Sequence, residues 1–219
     1  MRYRTESPPG VTAISLAILI DDPGVAIGAI ARYLDDLGAY GRSAEVLELD
    51  RDRQRMLYEK AADAPPLDLD FFVGQAGARE EVIHDGLNTL PLPGRLRRFQ
   101  KRFCRPESDG ARLFGYNEGP TRPVVGPGYF VAVPTGGRPH WATRGAVVVD
   151  YFQVPDGPVA RGWPRVVSND WRLQRFVYHE TRDFMRRVSN HVSIGAAFKR
   201  ERPLDHYFVL ARRDPAPAA

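Results

Sequence analysis

Several ionisable side chains of this 219-residue chain fall inside apolar or β-prone runs, where a charge needs either a partner or a task. Asp150 and Tyr151 lie in the apolar run 146–152. An arginine on a neighbouring strand would satisfy Asp150; a catalytic or ligand-orienting carboxylate is the alternative. Tyr116, Asn117 and Glu118 end a β-prone run just before Gly119 and Pro120, a place from which side chains reach a cavity mouth. Glu118 in an aromatic pocket would have a raised carboxyl pKa suited to acid/base work, whereas at an exposed turn it would do nothing special. His179, Glu180, Arg182 and Asp183 crowd into five residues, which permits an acid/base pair and equally a salt-bridged turn. If 173–188 were helical, Glu180 would interrupt its apolar face and need a partner or a ligand.

Other chemistries lack their residues. The five histidines, at 84, 140, 179, 191 and 206, form no His-x-His or His-Glu-x-x-His pattern, so no metal site is expected. Cys104 stands beside Arg102 and Arg105, which could favour a thiolate; a buried inert thiol is the plainer reading. No G-x-G-x-x-G, Walker loop or G-x-S-x-G occurs, so no cofactor is expected and serine hydrolysis has no support.

The elements that must position these groups divide the chain in two. Asp22 before Pro23 reads as an N-cap with proline at the first helical position, and Ile27, Ile30, Leu34 and Leu37 follow at helical spacing to Gly38. Ser43 can cap a second helix carrying Val46, Leu49, Met56 and Leu57, ending before Pro65 and Pro66, with 50–55 charged and facing water. Residues 11–20 suit strand or helix. From Arg79 the pattern becomes short β-prone runs cut by proline and glycine: 79–84, 96–104, 111–117, 128–133 and 145–153. A strand followed by a short helix at 181–188 is expected next, then a closing hairpin of 191–199 and 205–212. The expected fold class is α+β, with a helical segment 1–78 packing on an antiparallel β-barrel, 79–213, and a disordered tail, 214–219.

The stretch 182–195, Arg-Asp-Phe-Met-Arg-Arg-Val-Ser-Asn-His-Val-Ser-Ile-Gly, followed by 206–212, resembles the end of small calycin-like barrels of the bacterial GXWXG/DUF4334-type families. In those proteins an Asp-aromatic-x-Arg-x-Val turn of helix leads to a strand ending in Leu/Ile-Gly and then an aromatic-rich final strand. Gly145 to Phe152 is similar to an earlier strand, and Lys101-Arg102-Phe103 to an upstream Gly-Lys-x-Phe element; no Gly-x-Trp-x-Gly segment occurs. The resemblance implies a closed barrel with a small apolar cavity and carries no catalytic residues across.

A ligand-holding barrel would be lined from alternate strand positions. Tyr116, Asn117, Tyr129, Tyr151, Phe176, Tyr178 and Phe198 are the candidate ligand contacts, with Asp150, Glu118, His179 and Glu180 as candidate acids and bases. The bland alternative is a solidly packed core. With 43% hydrophobic and 26% charged residues the chain has a globular composition. The apolar stretch 11–20 is half of what a bilayer crossing needs, no signal peptide is recognisable, and one cysteine cannot form an internal disulfide, so a cytoplasmic protein is expected. Together these suggest a barrel that binds a small apolar or aromatic molecule. A cofactor-independent isomerase, cyclase or hydratase of bacterial secondary metabolism is the catalytic form of that expectation. The alternative is a nucleic-acid or acidic-partner module built on 95–105, where Arg95, Arg97, Arg98, Lys101, Arg102 and Arg105 interleave with Phe99 and Phe103, although the net charge is only +4. A third reading has 25–37 packing against a partner helix, as in a homodimer.

Overall fold

Strand residues alternate between two environments, and in this chain both are apolar over most of the sheet: one set faces the inside of a barrel, the other is covered by helices and loops. The computed structural model describes residues 14–108, 110–171 and 173–213. Eight strands, β1 (Val82–Asn88), β2 (Arg98–Cys104), β3 (Leu113–Glu118), β4 (Phe130–Pro134), β5 (Val147–Asp150), β6 (Thr181–Arg187), β7 (Val192–Lys199) and β8 (Arg202–Arg212), pair in sequence order. Each pairing is antiparallel, and β1 closes on β8, so no edge is left open.

Register identifies the inward set. Across β1, β2, β3 and β4 the pairs His84–Lys101, Lys101–Asn117 and Gly115–Phe130 lie opposite one another; on the far wall Val149 faces Asp183 and Asp183 faces Ala197. Glycines make room for rings. A β-carbon at Gly115 would lie 2.3 Å from the Phe130 ring, and one at Gly195 would lie 2.3 Å from Phe208. One end of the interior is stoppered by a single turn of helix, Asp70–Val73, whose Phe71 and Phe72 join Phe103, Leu113, Phe130, Val147, Met185 and Leu210 in a continuous core.

Four helices precede that stopper: α1 (Leu16–Asp21), α2 (Ile27–Asp36), α3 (Ala39–Val46) and α4 (Arg51–Lys60). Their apolar faces, including Leu16, Ile20, Ile30, Leu34, Val46 and Leu57, bury the outer side chains of β1, β7 and β8, among them Leu87, Ile194 and Val209. The apolar face of α2 is therefore spent within the chain. Trp141 covers Val148 and Phe184, while Ala160 and Trp163 cover Phe114 and Val131 on other outer faces.

The structure corrects several boundaries. Asp22 ends α1, its carboxylate accepting from the Gly24 N–H at 2.8 Å, so the Asp-Pro pair makes a turn between two helices rather than starting one. The second expected helix is also two: Asp50, read as mid-helix charge, accepts from the Arg53 N–H and starts α4 afresh. The order of elements at 173–188 is reversed, with one helical turn at Gln174–Val177 followed by strand β6. There Thr181, Asp183 and Met185 face inward and Arg182, Phe184 and Arg186 outward. The helical turn implied by the resemblance at 182–188 is thus strand. The expected tail, 214–219, lies outside the described residues.

Candidate functional site

The four connections 89–97, 119–129, 151–180 and 200–201 all gather at the end of the barrel opposite the stopper, and the interior there is not filled. A cavity of about 510 Å³ opens between them, within the range of small-molecule sites. Its walls are mainly apolar: Leu90, Leu96, Phe99, Val125, Val177, Ala197, Tyr207 and Phe208 line it, with Arg122, Lys199 and His206 among them, and Leu92, Phe176 and Leu204 stand exposed at the mouth.

The floor is polar and almost wholly buried. Lys101 is 1% exposed, and its Nζ donates to Asp183 Oδ2 at 3.1 Å, to Asn117 Oδ1 at 3.1 Å and to the Tyr151 hydroxyl. Asn117 Nδ2 in turn donates to Tyr151 at 3.1 Å and to the Gly128 carbonyl at 3.0 Å, which fixes both rotamers. Around the ammonium stand the rings of Phe130 and Phe208, each 4.8 Å away, and of Tyr151 at 5.0 Å, an arrangement in which the aromatic faces favour a cation. Tyr178 stacks on Tyr151 with centroids 5.2 Å apart, carrying the aromatic surface from floor towards mouth.

Strand alternation produces this cluster. Phe99, Lys101 and Phe103 occupy every second position of β2, and Thr181, Asp183 and Met185 those of β6, so each strand sends one charge in among apolar neighbours. Burial lowers the pKa of Lys101 and raises that of Asp183, while their mutual attraction opposes both shifts. Burial, followed by the nearby Asp183 charge, pushes the Tyr151 hydroxyl well above its ordinary value, so it remains a proton donor at neutral pH. An ammonium, a carboxylate and a neutral phenol thus meet at one end of an apolar cavity. That set can grip an oxygen atom and pass it a proton.

The expected site residues divide by location. Asn117, Tyr151 and Tyr178 line the cavity and Glu118 and Phe176 its rim. Burial pushes the Glu118 carboxyl up, but bonds from Arg122, the Gly119 N–H and Tyr116 outweigh it and leave the group below its ordinary range. Asp150 points outward and pairs with Arg182 on β6 at 3.3 Å, which satisfies it by a neighbouring-strand arginine. Tyr116 and Tyr129 pack with Trp163 on the outer face, and Phe198 packs on Phe184 there too. His179 and Glu180 also lie away from the cavity lining, with Glu180 bound to Arg200, which lowers its pKa.

Lys101 and Asp183 were not among those candidates. Lys101 is read from sequence as part of a basic cluster and of the segment similar to a Gly-Lys-x-Phe element, yet the period of two that places Phe99 on one face places Lys101 beside it. A second signal is compositional: the chain has three lysines against 28 arginines, so a lysine inside a strand is a choice of chemistry. Phe103 and Lys101 are inside the barrel, Arg102 pairs with Glu81, Arg105 with Asp70 and Arg98 with Glu48. Burial raises the Cys104 thiol to about 11, against a thiolate role. Among the described residues no group of three or more histidine, cysteine or carboxylate side chains could hold a metal, and no helix is long and apolar enough to cross a membrane.

In comparisons with known proteins, no family matches the chain, and neither does any curated protein or solved structure.

Proposed function

We propose that the chain binds a small apolar or aromatic molecule in the open end of its barrel, with an oxygen of the ligand anchored at Lys101, Tyr151 and Asn117. The observation that carries this reading is the floor itself. A buried ion pair gains little over apolar packing and commonly loses to it, so its retention beside an unfilled cavity points to recognition rather than stability. The calycin-like character expected from sequence accords with a closed antiparallel barrel whose ligand enters from one end. In the catalytic form of the proposal no cofactor is needed. Tyr151 and the Lys101 ammonium donate to a carbonyl oxygen, and the Asp183 carboxylate moves a proton as an isomerase, cyclase or hydratase requires.

Native mass spectrometry of freshly purified protein, followed by identification of released small molecules, tests the reading, together with fluorescence titration of aryl ketones and alcohols. Substitution Ala197→Phe places a ring in the cavity wall and should abolish retention of ligand while leaving the fold intact. Equal binding by the filled variant and the parent would sink the proposal.

A further inference from the structure

We infer that the Lys101 amine condenses with the carbonyl carbon of an apolar aldehyde or ketone seated in the cavity, forming an iminium whose counter-ion is Asp183. This rests on the cavity being a small-molecule site and goes further by naming the reacting atom and the functional group of the ligand.

Three features of the floor lead to it. The first is access: Lys101 is part of the cavity lining, and the apolar walls above it suit a hydrocarbon body with its carbonyl pointing down. The second is charge. An ammonium and a carbonyl compound give an iminium and water, so the positive charge that Asp183 neutralises at 3.1 Å and that the rings of Phe130 and Phe208 face at 4.8 Å stands at the same place at the start and at the end, and between them nitrogen and carboxylate are neutralised together. No step leaves a lone buried charge, the usual obstacle to chemistry on a buried lysine. The third is the choice of residue. Arg51, Arg53, Arg102 and Arg182 hold carboxylates elsewhere among the described residues, with guanidinium groups that stay protonated and do not form imines; lysine stands at the buried pair with Asp183.

The protons balance with Asp183 as the only carrier. The ammonium passes a proton to the carboxylate, and the freed nitrogen lone pair adds to the carbonyl carbon as the C=O π pair moves to oxygen. That oxygen takes the proton from Asp183, and the nitrogen returns one to it, leaving a neutral carbinolamine. The nitrogen lone pair then forms C=N while the C–O bond breaks, and the departing hydroxyl leaves as water with the Asp183 proton. Asn117 Nδ2 and the Tyr151 hydroxyl, which bond each other at 3.1 Å, are placed to hold the oxygen. Burial, which lowers the Lys101 pKa, increases the share of free amine available for the first addition.

The test is reductive trapping on the full chain. The protein is incubated with trans-cinnamaldehyde and sodium cyanoborohydride and analysed by intact mass and peptide mapping, with Lys60 and the amino terminus as internal controls and Lys199, which also lines the cavity, scored separately. The expected result is a single adduct on Lys101 that is lost in Lys101→Arg, which keeps the charge but has no condensing amine. Cinnamyl alcohol, which cannot form an imine, is titrated in parallel. Alcohol binding with labelling confined to the control amines would overturn the iminium and leave the cavity reading standing. Absence of both alcohol binding and the Lys101 adduct would overturn the two together.

Discussion

His84 and Lys101 face each other across the β1–β2 ladder, both side chains fully enclosed, and the two ends of the barrel treat them in opposite ways. At the stoppered end His84 is packed against Phe72 and Phe103, with Nε2 2.8 Å from the Phe72 carbonyl. Among the described residues no carboxylate accompanies it inside, and burial holds the ring neutral, with a pKa pushed down to about 4. At the open end the charged form is retained through Asp183, and space is left beside it. A barrel that needed only a core could have filled both ends the first way. The difference marks the open end as the one built for something other than packing, since apolar residues of similar volume would serve stability at least as well as the ion pair.

The comparison breaks most sharply at the pair. Asp183→Leu should destabilise the fold by about 3–5 kcal/mol in urea denaturation, because the Lys101 ammonium loses its counter-ion. Adding Lys101→Met should recover most of that loss. A double variant no more stable than the single one would mean that the pair is a structural requirement, and the contrast between the ends would fail. At the other end the corresponding probe is pH. The depressed His84 pKa means that folded and unfolded chains are equally deprotonated above about 6.5, so nothing is lost there. As pH falls from 6.5 towards 4, the unfolded chain takes up a proton that the folded one refuses, and stability declines. At roughly 1.4 kcal/mol per pKa unit this amounts to about 3.5 kcal/mol once pH is well below 4. His84→Leu should flatten that part of the stability–pH curve relative to the parent, which paired denaturation series at pH 7 and pH 4.5 would show.

How much of this was legible depends on the kind of signal. The strands that begin or end at proline and glycine, such as Leu113–Glu118 before Gly119 and Pro120 and Phe130–Pro134 before Gly136, could be located from that punctuation. Strand β6 could not, because Phe184, Met185 and Val188 also fit a helical face. Only its partners Val147–Asp150 and Val192–Lys199 decide the matter by supplying a ladder on both sides. The site divides similarly. Asn117 and Tyr151 stand out locally as a polar group at a strand end and an aromatic in an apolar run. Lys101 and Asp183 are 82 residues apart, one in a basic run and the other in a charged cluster with His179 and Glu180, and nothing pairs them until the barrel closes and brings the two inward faces together. Asp150 shows the converse: conspicuous inside an apolar run, it faces the outer wall and is satisfied there by Arg182.

Ligand binding refines the comparison where stability effects end. Tyr151→Phe removes a hydroxyl that touches Lys101 and Asn117 but leaves the ring stacked on Tyr178. A lost hydrogen bond of this kind corresponds to about 1–2 kcal/mol, or roughly 5- to 30-fold weaker binding of an aryl ketone. The same substitution should leave the affinity for a pure hydrocarbon of equal size nearly unchanged. Uniform weakening of both probes would mean that the hydroxyl acts only by holding the floor together.

The smallest effect is expected at the mouth. Phe176 is 72% exposed on the turn Gln174–Val177, so its ring already lies mostly in water and gains little when a ligand arrives. Phe176→Ala should therefore shift equilibrium affinity by less than about threefold, as rim residues generally do. Both association and dissociation rates should rise together, because the ring narrows the passage without gripping what passes through it. Stopped-flow fluorescence with the same aryl ketone resolves the two rates. A large loss of affinity with an unchanged association rate would place Phe176 over the bound ligand, and the binding surface would then reach from the buried pair to the outermost turn.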